Sequence, residues 1–345
     1  MMIGIHISKG DFSERWVDYC RERQIPYKPV CCYDVDIIGQ LGDCDALMWH
    51  HNHVHPKDVV FAKQLLFSLA AAGKPVFPDF ATNWHFDDKL GQKYLLEAAG
   101  VPSVESFAFY TRQEAVNWIH NTSFPKVFKL RSGAGSENVK LVRSENEAGK
   151  LAHRAFGTGF RQSDVPGDIL EQIRKKKLGR AAYADILKAM AHLVVPYYVE
   201  KSKGRERGYL YFQEFIPGNR SDTRVVVIGS KAFALKRMVR HNDFRASGSG
   251  HIIYDQHEID TNLVRLAFEI NQKLKAQCLA FDFIHDQSGK PYLVEISYGF
   301  ADKAYDACPG YWNDGLEWIE GNFNPYGWMV DDLIGRIKKS KGFIN

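Results

Sequence analysis

The feature that most constrains this fold is the alternation of short apolar runs and amphipathic stretches at the start of the chain. Apolar runs at Ile3–Ile7, Tyr27–Cys32 and Ala46–Trp49 predict strands, and an amphipathic stretch that begins at Asp11 predicts a helix. A second helix is predicted over Pro56–Ala72, because a glycine follows it as a natural stop. This β-α-β order predicts a small parallel sheet, similar to a Rossmann domain.

The patterns divide the 345 residues into three predicted parts. The first, 1–85, is the parallel α/β part. The second, 86–211, alternates in a βαββ order that indicates an α+β subdomain, with a helical insertion at about 150–208. The third, 212–345, consists mainly of strands with two helices. The predicted fold class is therefore α/β and α+β, in a chain long enough for roughly two or three domains.

Composition limits the function classes that the chain can have. Lys and Arg number 45 against 41 Asp and Glu, and a formal charge of +4 is too small to indicate nucleic-acid or membrane binding. No uncharged apolar run approaches the roughly 18–20 residues of a membrane span. The six cysteines are scattered without a Cys-x-x-Cys pair, so we expect free thiols and a cytoplasmic protein. The basic cluster Arg174–Arg180 predicts a solvated helix face, or else attraction for a diphosphate-bearing or lipid-linked substrate.

Two carboxylates on neighbouring predicted strands form one candidate site. Asp282 lies in the apolar run Ala280–His285, Glu295 lies in Tyr292–Ile296, and a short turn joins the runs. In an antiparallel hairpin such residues can lie side by side, and two facing acids repel unless a cation separates them. Oxygen ligands without His or Cys favour Mg²⁺ shared with phosphate oxygens. The alternative is that one or both are solvated strand acids.

A lysine at the end of an apolar strand forms a second candidate site. Lys129 precedes a loop of small residues over 131–136, so its ammonium and the loop N–H groups could bind phosphate. A hairpin turn with a surface lysine is the alternative. Gln213–Ile216 ends another strand at Pro217, where exposed backbone groups could bond a purine edge, although the pattern fits any strand end.

The order of these motifs resembles that of the ATP-grasp superfamily. The matching stretches span about residues 80–300 and are Asp87-Asp88-Lys89, Leu95–Pro102, Phe124–Lys129 with its loop, Gln213–Ile216, Asp222–Gly229, Asn242–Arg245, Phe281–Ile284 and Tyr292–Ser297. The order is similar to that of the glutathione-synthetase-like and ribosomal-protein glutamate ligase branch. The whole chain also looks similar to ATP-grasp proteins associated with surface-polysaccharide assembly.

The resemblance implies roles for the matching residues. Residues implied in ATP binding are Lys89 and Lys129 at the phosphates, Ser132, Gly133, Gly135 and Ser136 in the loop that closes over them, Gln213, Glu214, Phe215 and Ile216 at the adenine, and Asp222 near the ribose. Arg245 is implied in stabilising the transferred phosphoryl group, with Arg224 and Lys236 facing the same cleft. Asp282 and Glu295 would hold Mg²⁺, as a pair of ions or with Mn²⁺ in substitution. Ser297 stands where the family usually has an asparagine ligand, and would coordinate weakly or through water.

The activity that the resemblance implies is an ATP-dependent carboxylate–amine ligase that works through an acyl phosphate. Its partners would be a small carboxylate and an amine, and the acid could be a sugar acid or a related carboxylate in polysaccharide biosynthesis. The alternatives are an ATP-dependent phosphotransferase and a non-catalytic nucleotide-binding regulator, which Ser297 favours. Neither nucleic acid nor a membrane is expected as a partner, and a homodimer is a candidate assembly.

A histidine cluster marks the candidate substrate end. His50, His51 and His53 follow the predicted strand Ala46–Trp49, at the strand end where parallel sheets bind ligands. The cluster could recognise a carboxylate, phosphate or sugar, could form a structural loop, or could bind Zn²⁺. Tyr298 also stands at this end, because the residues after Ser297 replace the proline and glycine usual in the family.

Overall fold

A computed structural model describes residues 1–53, 55–133, 138–161, 182–191, 204–240 and 243–342, together with Ile169, Gln172, Ile173 and Lys176. The chain forms two compact units. Unit 1 comprises Met1–Phe86, Tyr94–Ser103 and Pro217–Asn345, and unit 2 comprises Asp87–Lys93 and Val104–Ile216. The first and third predicted parts therefore lie mainly in unit 1, and the second lies mainly in unit 2.

Unit 1 begins with a parallel sheet, which confirms the prediction for the start of the chain. Its strands lie in the order β2-β1-β3-β4. Capping by Asp11, which accepts from the Ser13 N–H, begins the first helix, and Asp79 caps the fourth in the same way. The elements are β1 (Ile3–His6), α1 (Phe12–Glu22), β2 (Tyr27–Val30), α2 (Ile37–Gln40), β3 (Ala46–Met48), α3 (Pro56–Ala71), β4 (Val76–Phe77) and α4 (Phe80–Asn83).

Unit 2 is built on an antiparallel sheet of four strands in the order β5-β8-β6-β7. One face carries aromatic residues such as Phe128 and Phe212, which pack with alanines of two helices. The elements are α5 (Lys89–Ala98, which continues into unit 1), β5 (Ser106–Phe109), α6 (Arg112–Asn121), β6 (Lys126–Lys129), β7 (Val139–Val142), α7 (Glu145–Ala155), α8 (Tyr183–Ala191) and β8 (Leu210–Glu214). Most of the predicted helical insertion, including the basic cluster Arg174–Arg180 except Lys176, lies outside the described residues.

A second sheet in unit 1 carries apolar residues on both faces. Val226, Phe233 and Ala280 belong to a core that also contains Ile3, so the two sheets of unit 1 share this core. The opposite face packs on a helix. The strand order is β13-β12-β9-β10-β14-β15, with β11 beside β10. The elements are β9 (Ser221–Ile228), β10 (Lys231–Met238), β11 (Ile252–Ile253), α9 (Thr261–Leu274), β12 (Cys278–His285), β13 (Pro291–Ser297), β14 (Gly310–Asn313), β15 (Trp318–Glu320) and α10 (Pro325–Ser340), with 3₁₀ turns at Gln256–Glu258 and Asp302–Ala304.

The described residues show the state of the cysteines and the character of the helices. All six cysteines are free thiols, and five of them are buried. Within the described ranges, no helix combines the length and the apolar character that crossing a membrane requires.

Candidate functional site

The sheet of unit 2 brings Lys129 and Gln213 together on its less apolar face. They lie on the neighbouring strands β6 and β8, both side chains are buried, and Lys129 Nζ donates to Gln213 Oε1 at 2.6 Å. Gln213 Nε2 in turn donates to Ser106 Oγ on β5 at 3.3 Å. An ammonium and an amide on one surface supply the charge and the directed hydrogen bonds that a nucleotide requires.

The side chain of Glu214 lies on the other face of this sheet, because side chains alternate along a strand. Its carboxylate accepts from Lys126 Nζ at 2.6 and 2.9 Å, and this lysine is buried over the Phe107 ring. Phe215 and Ile216 follow the end of β8 and are half-buried. Of the two predicted adenine residues on β8, Gln213 is therefore the one whose side chain shares a face with Lys129.

The loop after β6 is bonded to the start of α5. Lys89 Nζ donates to the Gly133 carbonyl at 2.7 Å, and the Lys89 N–H donates to the Arg131 carbonyl at 2.9 Å. The Gly133 N–H donates to Asp87 Oδ1 at 2.7 Å. Lys89, predicted to contact phosphate, thus also fixes the loop that is predicted to close over it.

The remaining predicted loop residues are only partly described. Ser132 is buried, and its hydroxyl donates to Glu206 Oε1 at 2.9 Å. Gly135 and Ser136 lie outside the described residues.

Four charged side chains form a cluster on one face of the second sheet in unit 1. Arg224 Nε and Nη2 each bond one oxygen of Asp282 at 2.5 Å. Arg237 Nη2 lies 3.0 Å from Asp282 Oδ2, and Arg237 also bonds both oxygens of Asp222 at 2.7 Å. The register places Asp222 opposite Arg237 and Arg224 opposite Asp282, so strand pairing alone brings the four residues together.

The two guanidinium groups keep Asp282 ionised. Burial by itself raises the pKa of Asp282, but Arg224 and Arg237 together outweigh burial and hold this pKa well below its usual range. Burial, and next the charge of Asp282, raise the pKa of Asp222 against the opposing effect of Arg237. Burial lowers the pKa of Arg224, whereas the charge of Asp282 raises it, and the net pKa lies well above the ordinary value.

Glu295 is the register partner of Asp282 on β13, so the two carboxylates share a sheet face. Ser297 lies on the same face, and its hydroxyl donates to the Gly299 carbonyl at 2.8 Å. In the described part of the chain, no group of three or more His, Cys, Asp or Glu side chains could hold a metal ion. The donor set, two carboxylates and one hydroxyl, fits a hard cation such as Mg²⁺ that takes its other ligands from phosphate or water.

Lys236 lies on the opposite face of this sheet from Arg224. Lys236 pairs with Thr223, whereas Arg224 pairs with Leu235, and side chains of consecutive strand residues point to opposite faces. Lys236 Nζ bonds Glu258 Oε2 at 2.7 Å. The sequence predicts that Lys236 and Arg224 face one cleft; the register places them on different faces.

Arg245 lies in the segment that follows β10. Its guanidinium bonds the Asp243 carboxylate at 2.7 to 3.0 Å, and both side chains are partly exposed. Asn242, part of the same predicted motif, lies outside the described residues.

The histidine cluster is mostly buried and neutral. Burial lowers the pKa of His50 and of His51 to about 3. The His50 ring stacks on Phe12 at a centroid distance of 3.8 Å, and the Tyr298 hydroxyl donates to the His51 carbonyl. His53 is half-buried. Neutral imidazoles can hydrogen-bond a sugar or a carboxylate but supply no charge to an anion.

Two residues of these clusters, Arg237 and Glu206, are not predicted by any motif in the sequence. The position of Arg237 could have been inferred, because a two-residue link between β9 and β10 fixes the register that places it opposite Asp222. No sequence pattern pointed to Glu206, because it follows the segment whose pattern is least regular.

Comparison with solved structures identifies the architecture as the ATP-grasp fold. A RimK-domain ATP-grasp protein from Sphaerobacter thermophilus matches with a TM-score of 0.57 and 15% identity, over 97% of this chain and 100% of its own. D-alanine–D-alanine ligase from Bacillus anthracis, complexed with ATP, matches with a TM-score of 0.53 and 14% identity, over 100% and 99%. The ATP-grasp ligase PsnB, complexed with a minimal precursor, Mg and ADP, matches with a TM-score of 0.53 and 13% identity, over 98% of each chain. No family model and no curated protein matches the sequence.

Proposed function

We propose that the protein is an ATP-dependent carboxylate–amine ligase. The observation that carries this proposal is the buried bond between Lys129 and Gln213, next to a loop of small residues, in a chain with the ATP-grasp fold. In the proposal, Lys129 binds a phosphate, and Gln213 with the backbone that follows it binds the adenine. The Bacillus anthracis ligase, which has the same fold and was solved with ATP, supports this assignment.

Mg²⁺ is proposed to bind Asp282 and Glu295, with Ser297 as a weak or water-mediated ligand. The paired carboxylates support this, and so does the Mg present with ADP in the PsnB complex. Bound Mg²⁺ supplies charge neutralisation at the terminal phosphates. Arg224 and Arg237 hold the Asp282 carboxylate ionised and in one orientation. We assign them to positioning that ligand.

The reaction proposed is attack of a carboxylate on the γ-phosphate, which gives an acyl phosphate and ADP, followed by displacement of phosphate by an amine. The protein must neutralise the triphosphate and bring two anions together, which is mainly electrostatic work. Lys129 and Arg245 supply positive charge for this task. Lys236 faces away from Arg224, so we assign the phosphoryl contact to Arg245 first.

For the acid substrate we propose a sugar acid or a related carboxylate, of the kind used in surface-polysaccharide assembly. The sequence resemblance supports this class, and the neutral rings of His50 and His51 suit hydroxyl groups better than a bare anion. Tyr298 is fully buried and its hydroxyl donates to the His51 carbonyl, so we assign it to holding the His51 backbone. His53 is the half-buried member of this set. Free thiols at all six cysteines support a cytoplasmic location.

The proposal is tested by trapping the acyl phosphate with hydroxylamine. The protein is incubated with Mg-ATP, hydroxylamine and a panel of amino acids, uronic acids and sugar-nucleotide acids. We expect hydroxamate and ADP with one class of carboxylate. We expect Glu295→Gln to abolish both products, and Glu320→Gln, a change at an exposed position on β15, to retain them.

Two other outcomes would favour the alternatives. ADP release that depends on a carboxylate but gives no hydroxamate would contradict the ligase and favour a phosphotransferase. ATP binding without ADP release across the panel would favour a nucleotide-binding regulator.

A further inference from the structure

Two buried side chains before β8 hold the loop Arg131–Gly133. The Tyr209 hydroxyl accepts from the Arg131 N–H at 2.7 Å and donates to Glu206 Oε2 at 2.8 Å. Glu206 Oε1 accepts from the Ser132 hydroxyl at 2.9 Å. The loop is therefore bonded to this pair through a backbone group and through a side chain.

The backbone of Glu206 is itself fixed to unit 2. Glu206 and Phe160 exchange two backbone hydrogen bonds, at 3.0 and 2.9 Å. The Phe160 ring packs against Phe128 of β6 with centroids 5.1 Å apart. A Cβ at Gly159 would lie 2.8 Å from the Glu206 carbonyl oxygen, so this approach requires glycine. The carboxylate is thus attached rigidly to the sheet that carries Lys129.

The loop is held from a second direction by the residues at the start of α5. Asp87 accepts from the Gly133 N–H, and Lys89 donates to the carbonyls of Gly133 and Arg131. The N–H groups of Arg131 and Gly133 donate to Tyr209 and Asp87, and their carbonyls accept from Lys89, so the backbone on both sides of Ser132 is fixed in direction. Phosphate-binding loops depend on the direction of the backbone N–H groups that they offer, so the fixed backbone bears on phosphate affinity.

The placement of Glu206 favours a role in the loop over a role in the core. Burying a carboxylate costs free energy unless it is hydrogen-bonded, and an apolar side chain would stabilise a core as well or better. The Glu206 carboxylate accepts from the hydroxyls of Ser132 and Tyr209, and the Arg131 guanidinium lies 3.9 Å away. Ser132 and Arg131 belong to the loop.

We propose that Glu206 and Tyr209 are positioning residues that set the loop Arg131–Gly133 for binding the phosphates of ATP. The proposal rests on the proposed function. Neither residue contacts the nucleotide in this assignment. Both act through the loop, so they affect affinity for the triphosphate and leave affinity for the nucleoside unchanged.

The test compares ATP with adenosine in two near-isosteric variants of the full chain, Glu206→Gln and Tyr209→Phe. Dissociation constants are measured by isothermal titration calorimetry with Mg²⁺ present. We expect each variant to weaken ATP binding about fivefold, the effect of one lost hydrogen bond, and to leave adenosine binding unchanged. In the double variant the two effects should combine to less than their product, because both residues belong to one network.

Thr111→Ala is the matched control. It removes the N-cap of α6 in the same unit without contact with the loop, and it should lower the thermal midpoint while ATP affinity stays at the wild-type value.

Unchanged ATP affinity in both variants, or equal losses for ATP and adenosine, would overturn the positioning role. Wild-type protein that binds neither ATP nor adenosine would instead refute the proposed function, and the inference with it. The two failures are therefore distinguishable in one experiment.

Discussion

At the residue scale, Asp282, Arg224 and Arg237 form a cluster of buried charges, and removing one of them leaves the other two buried without their partner. Asp282 lies between two guanidinium groups, with a side chain about 12% exposed, and those of Arg224 and Arg237 are 19% and 10% exposed. Breaking such a cluster costs more stability than breaking a surface pair, because the charged partners that remain cannot return to water.

We predict that Asp282→Asn strongly destabilises unit 1. The substitution leaves Arg224 and Arg237 with only partial compensation, and the expected loss in the free energy of unfolding is about 3–5 kcal/mol. Urea denaturation measures it directly.

The control for Asp282→Asn is Asp306→Asn. Asp306 bonds Arg15 at 2.9 Å, but the two side chains are 50% and 42% exposed. Such exposed pairs contribute about 0–1 kcal/mol. Equal, small losses in the free energy of unfolding for both variants would contradict the predicted contribution of the buried cluster.

We predict that acidification destabilises the fold through His50 and His51. Their native pKa values of about 3 lie below the ordinary 6.5, so the unfolded chain binds protons that the native chain excludes. The stability that they contribute is complete above pH 6.5 and is lost as the pH falls below it. Between pH 7.5 and 5 the loss is about 2 kcal/mol for each histidine. Urea denaturation at the two pH values measures it. A His50 or His51 NMR resonance that titrates between pH 5.5 and 7.5 would contradict the prediction.

At the element scale, the hairpin of β9 and β10 accounts for much of the charged cluster. Gly229 and Ser230 link the strands, so Ile228 pairs with Lys231 and the register follows from the turn length. Gly229 has a φ of 56°, in the left-handed region that favours glycine.

We predict that Gly229→Ala destabilises the protein by about 1–2 kcal/mol, the cost of a left-handed conformation for a residue with a Cβ. The cost is conformational, because no atom lies within 4 Å of the new Cβ. Gly149→Ala is the opposite control: Gly149 lies inside α7 with open space around it, and alanine there should stabilise by about 0.5–1 kcal/mol. Chemical denaturation measures both changes, and a neutral Gly229→Ala would show that the turn does not require glycine.

Elements that form because of a local sequence pattern could be predicted from the sequence. Elements that form because they pair with a distant strand could not. The strands of the first sheet, the pairing of Asp282 with Glu295 and helix α9 follow from apolar periodicity and turn residues. Strands β14 and β15 could not be predicted in this way, because they are short and lie in a stretch rich in turn residues. They form because β14 pairs with β10 and β15 pairs with β14.

At the scale of the whole molecule, motif order predicted the fold better than it predicted the orientation of side chains. Several weak motifs that occur in one order along the chain predicted the ATP-grasp fold, and the similarity to solved structures confirms it. Lys236 shows what motif order omits: a residue one step along a strand faces the other way, and only the register reveals this. The charge state of His50 likewise depends on burial by distant residues, such as Phe12.

The most direct test of the central claim follows oxygen from the acid substrate. The carboxylate identified by hydroxamate trapping is labelled with ¹⁸O and incubated with Mg-ATP and an amine, and the phosphate is examined by ³¹P NMR. A ligase that works through an acyl phosphate transfers one ¹⁸O from the carboxylate to the released phosphate, and we predict this isotope shift. Released phosphate without ¹⁸O, or a stable phosphorylated acid as the product, would contradict the account.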